Sequence, residues 1–256
     1  MTIKNFSFTI LLFLTIPIFS FGQINNIKEA INKAGRQRML SQKIAKDYMF
    51  VGIGEYTTEA TEEMEKSIAL FESQLDELLE FAPNESIKIE FEKIKFSWSY
   101  FKKIVNSPPT KSNAVKIIDY SNRLLDESNY AVKVLTKYSN QRSGEIINIS
   151  GRQRMLSQRI ALYFAAYKWK VPHGEILSRF KKAKDLFQTS LKKLMKNKTN
   201  SAGINLYLKI VKSQFKFSRK GFNVNGDLSL EEIFIFTNEI TATMNTITGM
   251  YESTLK

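Results

Sequence analysis

The segment from Ile31 to Ala45, built around Gly35-Arg36-Gln37-Arg38-Met39-Leu40-Ser41-Gln42, returns from Ile147 to Ala161 as Gly151-Arg152-Gln153-Arg154-Met155-Leu156-Ser157-Gln158. Gly35 and Gly151 set the offset at 116 positions. An internal repeat narrows the architectures open to a chain before any single residue is weighed, because each copy must form the same local unit. The offset continues beyond the motif without an obvious gap. It pairs Phe71 with Phe187, Leu75 with Leu191, Leu78 with Leu194, Ile94 with Ile210, Phe101 with Phe217, Asn122 with Asn238 and Asn129 with Asn245. Apart from the asparagines these are apolar positions at helical spacing, expected to pack in a core. The duplicated unit is therefore a domain rather than a motif.

Strand signals are weak throughout, and only 5 prolines interrupt 256 residues. Helices are expected over 24–51, 57–81, 85–106 and 112–138 in the first copy, and over 142–169, 174–197, 202–221 and 228–254 in the second. The breaks fall at Gly52-Ile53-Gly54, Ala82-Pro83-Asn84, Ser107-Pro108-Pro109, Val171-Pro172-His173-Gly174 and Gly221 to Asp227, where glycine or proline ends a helix for opposite backbone reasons, and at the short polar run Lys198 to Ser201. Connections this short favour antiparallel neighbours. The expectation is an all-α chain of two tandem up-down four-helix bundles, over residues 23–139 and 140–256. The junction from Ser139 to Gly144 reads either as a kink or as part of one long continuous helix.

Ahead of the first copy, Lys4 is followed by an apolar run from about Phe6 to Phe21 and by Ser20-Phe21-Gly22. This pattern reads as a secretory signal over residues 1–22, cleaved after Gly22; the rival reading is an uncleaved amino-terminal anchor, for which the run is slightly short. No second apolar stretch of spanning length follows, so the expected location is periplasmic or extracellular. The chain has no cysteine and must rely on its core rather than on disulfides.

Charge is unevenly divided. Residues 24–139 carry 17 Lys+Arg and 17 Asp+Glu, whereas residues 140–256 carry 20 against 8, which with Lys4 makes up the net +13. Lys181, Lys182, Lys192 and Lys193 contribute to this surplus. It fits solvated helix faces, or peripheral contact with an anionic membrane surface, polysaccharide or acidic partner. An export signal disfavours nucleic acid as the partner.

Within the motif, Ile31, Gly35, Arg38 and Gln42 step by four, three and four residues and share one helix stripe, as do Ile147, Gly151, Arg154 and Gln158. Asn32 with Arg36, and Asn148 with Arg152, lie on an adjoining face. A guanidinium buried in such a stripe must find partners, because desolvating an unpaired charge costs several kcal/mol. The glycines cost about 1 kcal/mol of helix propensity and remove bulk one turn earlier, as a close approach by backbone or ligand requires. Planar donors with few acceptors suit a small oxyanion or carboxylate. The same groups also suit a structural network that fixes helix register. Ser41 and Ser157 lack a His or Cys partner and read as packing or network residues, and His173 reads as a loop residue. No cofactor or metal signature is present, and the acidic clusters of the first half read as solvated faces, so no enzymatic activity is expected.

The segment Asn-x-(Ala/Ser)-Gly-Arg-Gln-Arg-Met-Leu-Ser-Gln resembles the signature of the NarX-like, type IV pilus methyl-accepting chemotaxis transducer (PilJ-type) amino-terminal domain, a four-helix periplasmic sensor module. Arg36-Gln37 and Arg152-Gln153 make it more similar to the pilus-chemotaxis branch than to the nitrate sensors. In the nitrate-sensing relatives the arginine three residues after the glycine binds the anion where two identical first helices meet across a dimer. The resemblance assigns that role to Arg38 and Arg154. It implies a sensor-like protein that binds a small anionic ligand through Arg38 and Arg154, supported by Gln42, Gln158, Asn32, Asn148, Arg36, Arg152, Gly35 and Gly151. The copies would pair with each other or with a second chain. Such relatives continue into an output region, and this chain reads as a sensor module without one, acting on an envelope protein partner or as a homodimer. The alternative from a different class is a structural or adaptor protein that docks on an anionic partner through its basic second half.

Overall fold

A computed structural model describes residues 24–140, 142–219 and 228–254. The expected signal segment lies outside the described residues, as does the break at 221–227. Eight helices follow in order: α1 (Ile27–Ile53), α2 (Thr57–Phe81), α3 (Glu85–Val105), α4 (Lys111–Ser139), α5 (Arg142–Lys168), α6 (Ile176–Met195), α7 (Ala202–Arg219) and α8 (Leu230–Thr254). Among the described residues there is no strand, and no helix is long and apolar enough to cross a membrane.

Short polar side chains start these helices by accepting from the orphan amides of the first turn. Asn26 accepts from the amides of Lys28 and Glu29, Asn84 from Ile87 and Thr110 from Asn113. Ser229 and Glu232 form a reciprocal capping box, each side chain accepting from the other's backbone amide at 3.0 and 2.8 Å. Gly54 ends α1 in the left-handed region at φ 85°, a conformation open to glycine at no steric cost. Asn140, also left-handed at φ 46°, ends α4. The junction is therefore a break, and the long continuous helix is excluded.

Each set of four helices is an up-down bundle, and the two lie side by side. The bonds of Asn32 with Arg154 and of Arg38 with Asn148 cross at the level of Gly35 and Gly151, and Gln42 with Arg159 and Gly52 with Trp169 follow further along both helices, so α1 and α5 run parallel and in register. The first helix of each repeat is thus covered by its own second and fourth helices and by its counterpart. This explains why polar residues such as Gln37, Arg38, Gln42, Gln153, Arg154 and Gln158 are fully buried.

The expected core pairing at a constant offset fails in one helix. Phe71, Leu75, Leu78 and their counterparts Phe187, Leu191 and Leu194 are buried as expected. Ile94 is buried, but Ile210 is 40% exposed, and the side chain of Phe217 lies outside the described residues. The buried positions of α7 are instead Ile204, Leu208, Val211 and Phe215, each one residue beyond the 116 offset from Ile87, Phe91, Ile94 and Trp98. Aromatic packing sets this register. Trp98 stacks on Phe71 with centroids 3.9 Å apart, and Phe215 stacks on Phe187 at 4.4 Å, whereas position 214 holds glutamine. An aspartate at Val211 is expected to lower the thermal midpoint sharply through an unpaired buried charge, while Ile210→Asp leaves it nearly unchanged; circular dichroism melts of the two variants distinguish this register from the constant offset.

Candidate functional site

Arg38 and Arg154 meet at the seam between α1 and α5. Arg38 donates from Nη1 to Oδ1 of Asn148 across the seam at 2.8 Å and to Oδ1 of Asn129 on α4 at 3.1 Å. Arg154 repeats this with exchanged partners: Nη2 donates to Oδ1 of Asn32 across the seam at 2.8 Å, and Nη1 donates to Oδ1 of Asn245 on α8 at 2.9 Å. Longer bonds reach the backbone carbonyls of Asn148 and Asn32 at 3.5 and 3.4 Å. Each arginine is therefore held by one asparagine of its own repeat and one of the other.

Glycine makes this convergence possible. A Cβ on Gly35 would lie 3.0 Å from Nη2 of Arg38 and 3.7 Å from Nη2 of Arg154; one on Gly151 would lie 3.0 Å from Nη2 of Arg154 and 3.5 Å from Nη2 of Arg38. Both guanidiniums thus occupy one small space that any larger residue would invade.

Every acceptor named above is a neutral amide or carbonyl oxygen. Among the described residues neither guanidinium makes an ion pair, and Nε of Arg154 is buried with no acceptor. Burial, aided by the charge of Arg152, pushes Arg38 down to about 9, and burial with Arg36 and Arg38 does the same to Arg154. Both still carry their charge at neutral pH. Hydrogen bonds from a charged group contribute about 1.5–3 kcal/mol each, and only part of the desolvation cost of two ions is offset this way.

The remaining sequence candidates divide into two groups. Asn32 and Asn148 join the arginines directly, and Gly35 and Gly151 make room for them. Arg36 and Arg152 flank the seam, half-buried; burial lowers Arg36, against the opposing charges of Glu252 and Glu77. Gln42 and Gln158 do not reach the guanidiniums. Their amides donate to the carbonyls of Ser121 and Thr237, at 2.9 and 3.2 Å, and so tie α1 to α4 and α5 to α8. Ser41 and Ser157 donate to the carbonyls of Arg38 and Arg154, and His173 sits in a loop 3.2 Å from Asp119. Asn129 and Asn245 were not singled out by the motif. Their signal was present in the repeat, as polar residues conserved at the 116 offset among apolar pairs. No group of three or more potential metal ligands occurs among the described residues.

The structure is thus a duplicated all-helical module whose copies meet through buried arginines on their first helices. The chain belongs to the family described as type IV pili methyl-accepting chemotaxis transducer N-term, whose model matches residues 20–120 and again 135–204. It is a tandem chemotaxis-transducer-like sensor module. No curated protein and no solved structure matches it.

The folded-state value near 9 carries a pH signature. The unfolded chain keeps the ordinary, much higher arginine value, so above about pH 9 the unfolded state binds more protons and stability rises with pH. The cost of the buried charges is full below that pH. Relative to the double variant Arg38→Met with Arg154→Met, the unmodified protein is expected to gain stability between roughly pH 8 and pH 10, approaching about 1.4 kcal/mol per guanidinium per pH unit. Denaturant unfolding of both proteins across that range measures it; a constant gap would show that the seam does not depress these groups.

Proposed function

We propose that this protein is an exported sensor that binds a small anion or acidic ligand between Arg38 and Arg154. One observation carries the reading: two fully buried guanidiniums, one from each repeat, share a single space with only neutral acceptors around them. A purely structural network would be expected to bring a carboxylate to such a pair, since an uncompensated buried ion is strongly destabilising. An oxyanion seated there accepts from the unpartnered Nε of Arg154 and, in exchange for the long bonds to the carbonyls of Asn148 and Asn32, from both Nη2 atoms, in a geometry that guanidinium favours.

Signalling follows from the seam. The arginines hold α1 to α5 through exchanged asparagines, so an anion that draws them together favours one relative placement of the two helices. Such a ligand shifts the equilibrium by its differential affinity for the two placements. An envelope protein or a second copy of the chain would read the change. The apolar run after Lys4 supports export, as does membership in a family whose sensor domains are typically periplasmic. The adaptor alternative draws on Lys181, Lys182, Lys192 and Lys193, all exposed on α6, and leaves the buried pair without a role.

Thermal unfolding against nitrate, nitrite, sulfate, phosphate and small carboxylates at fixed ionic strength tests the proposal, because a ligand that binds only the folded state raises its stability. A saturable upward shift with one of them is expected, lost in the Arg38→Met, Arg154→Met variant, which keeps its helicity. Gly35→Ala with Gly151→Ala is expected to lose the shift as well, although alanine favours the helix. No shift with any anion would reject the small-anion site, and collapse of the arginine variant would assign the pair to structure.

A further inference from the structure

The two places flanking the seam, between α8 and the pair α1–α2 and between α4 and the pair α5–α6, are equivalent in the duplicated fold but differ in charge. At the first, the cations are paired. Lys43 and Lys46 both contact Glu63, which also accepts twice from Asn238 at 3.0 Å, and Lys46 pairs with Asp47 at 2.8 Å. Burial alone would raise Glu63, but Lys46 and Lys43 hold it below the usual carboxylate range. Near the motif, Glu252 accepts from Asn32 at 2.5 Å, and Glu252 and Glu77 both act on Arg36.

The second, between α4 and the pair α5–α6, is a cleft of about 1010 Å³ with Arg38 at its floor. At the 116 offset, each of those three carboxylates is replaced: Glu63 by Arg179, Glu252 by Thr136 and Glu77 by Lys193. Arg152 and Arg159 of α5, Lys133 and Lys137 of α4, and Arg179 and Lys182 of α6 converge on it. Two carboxylates, Asp126 and Glu175, face them, and Glu175 is already engaged by Arg179 at 2.8 and 2.5 Å. Arg159 is half-buried, lies over the ring of Tyr163 at 5.2 Å and makes one long bond, 3.4 Å, to Oε1 of Gln42. Its counterpart Lys43 contacts both Glu63 and Asp47. Leu125, Met155, Leu156 and Leu186 supply apolar wall between the cations.

We propose that this cleft is a second binding site, for an organic anion carrying two or more negative groups on an apolar frame, and that the duplicated counterpart across the seam is closed to such ligands by its own carboxylates. A solvated basic face accounts for exposed Lys133, Lys137 and Lys182, but not for half-buried Arg152, Arg159 and Arg179 gathered beside apolar wall, with Arg179 and Thr136 at two places where the other side of the seam keeps acids. The volume lies at the upper end of ordinary small-molecule sites, about 300–1,000 Å³, which suits a ligand larger than a simple oxyanion. Guanidiniums from two helices with lysines from a third recognise separated carboxylate, sulfonate or phosphate groups. The proposal does not require an anion between Arg38 and Arg154, and the variants that test it leave both arginines in place.

Titration of the full chain with the dianionic fluorophore bis-ANS reads the site directly. One saturable site per chain is expected. Thr136→Glu with Arg179→Glu, which returns carboxylates to the positions they hold on the other side of the seam, is expected to weaken binding at least about tenfold, equivalent to about 1.4 kcal/mol. Lys133→Gln with Lys182→Gln, at exposed positions that leave the thermal midpoint unchanged, is expected to weaken it several-fold and decides the matter if the first variant does not fold. Lys66→Gln with Lys95→Gln removes the same charge elsewhere and is expected to leave binding unaltered. Cleft variants that bind as tightly as the unmodified protein, or a control pair that weakens binding equally, would overturn the proposal.

Discussion

Two arginines facing each other at the buried seam between the repeats constrain everything around them. Each needs acceptors from both repeats, so α1 and α5 must lie parallel and in register, and the fourth helix of each repeat must present an asparagine at the matching level. Each also needs room, which Gly35 and Gly151 provide at a cost in helix propensity. The bundles cannot slide past one another without breaking the two short bonds from charged donors to amide oxygens that cross the seam, from Arg38 to Asn148 and from Arg154 to Asn32. The pair therefore both joins the two halves and leaves them responsive to whatever neutralises it.

Duplication gives this seam its approximate two-fold symmetry within a single chain. The same face of each repeat, carrying the glycine and the arginine, meets its counterpart there. Fusion into one chain frees the repeats to diverge, and they have done so mainly in charge. Asp47 and Glu63 bind Lys43 and Lys46 between α1, α2 and α8, while Tyr163 and Arg179 stand at the equivalent places, with Tyr163 bonded to Asn122 at 2.9 Å. The surplus of positive charge in the second half thus has a structural location. Part of it lines a cleft rather than covering a convex surface.

Much of this was legible in the sequence, because a repeat with helical spacing and glycine or proline breaks admits few folds. The stripe of Gly35, Arg38 and Gln42 implied that a guanidinium buried there needs partners, while the pairing of first helices, with each other or with a second chain, came from the resemblance alone. What the stripe could not show was which neighbouring helix each side chain meets. Gln42 and Gln158 share the arginine stripe yet turn to α4 and α8, and Asn32 and Asn148 serve the opposite repeat. The slip in α7 was hidden because Ile210 and Val211 are both apolar, so either could match Ile94; only the stacking of Phe215 on Phe187 selects between them. Gly52 read as a helix breaker, yet α1 continues through it to Ile53. A Cβ there would fall 2.2 Å from the ring of Trp169, so its missing side chain seats that indole against α1.

The central claim, that an anion engages both buried guanidiniums at once, is tested most directly by nitrogen-15 NMR of the arginine side chains during titration with the anion that shifts the melting midpoint. The account predicts that the Nε and Nη resonances of Arg38 and Arg154 move together and saturate at one anion per chain, while those of exposed Arg123 stay fixed. Saturable stabilisation with both seam arginines unmoved would contradict it.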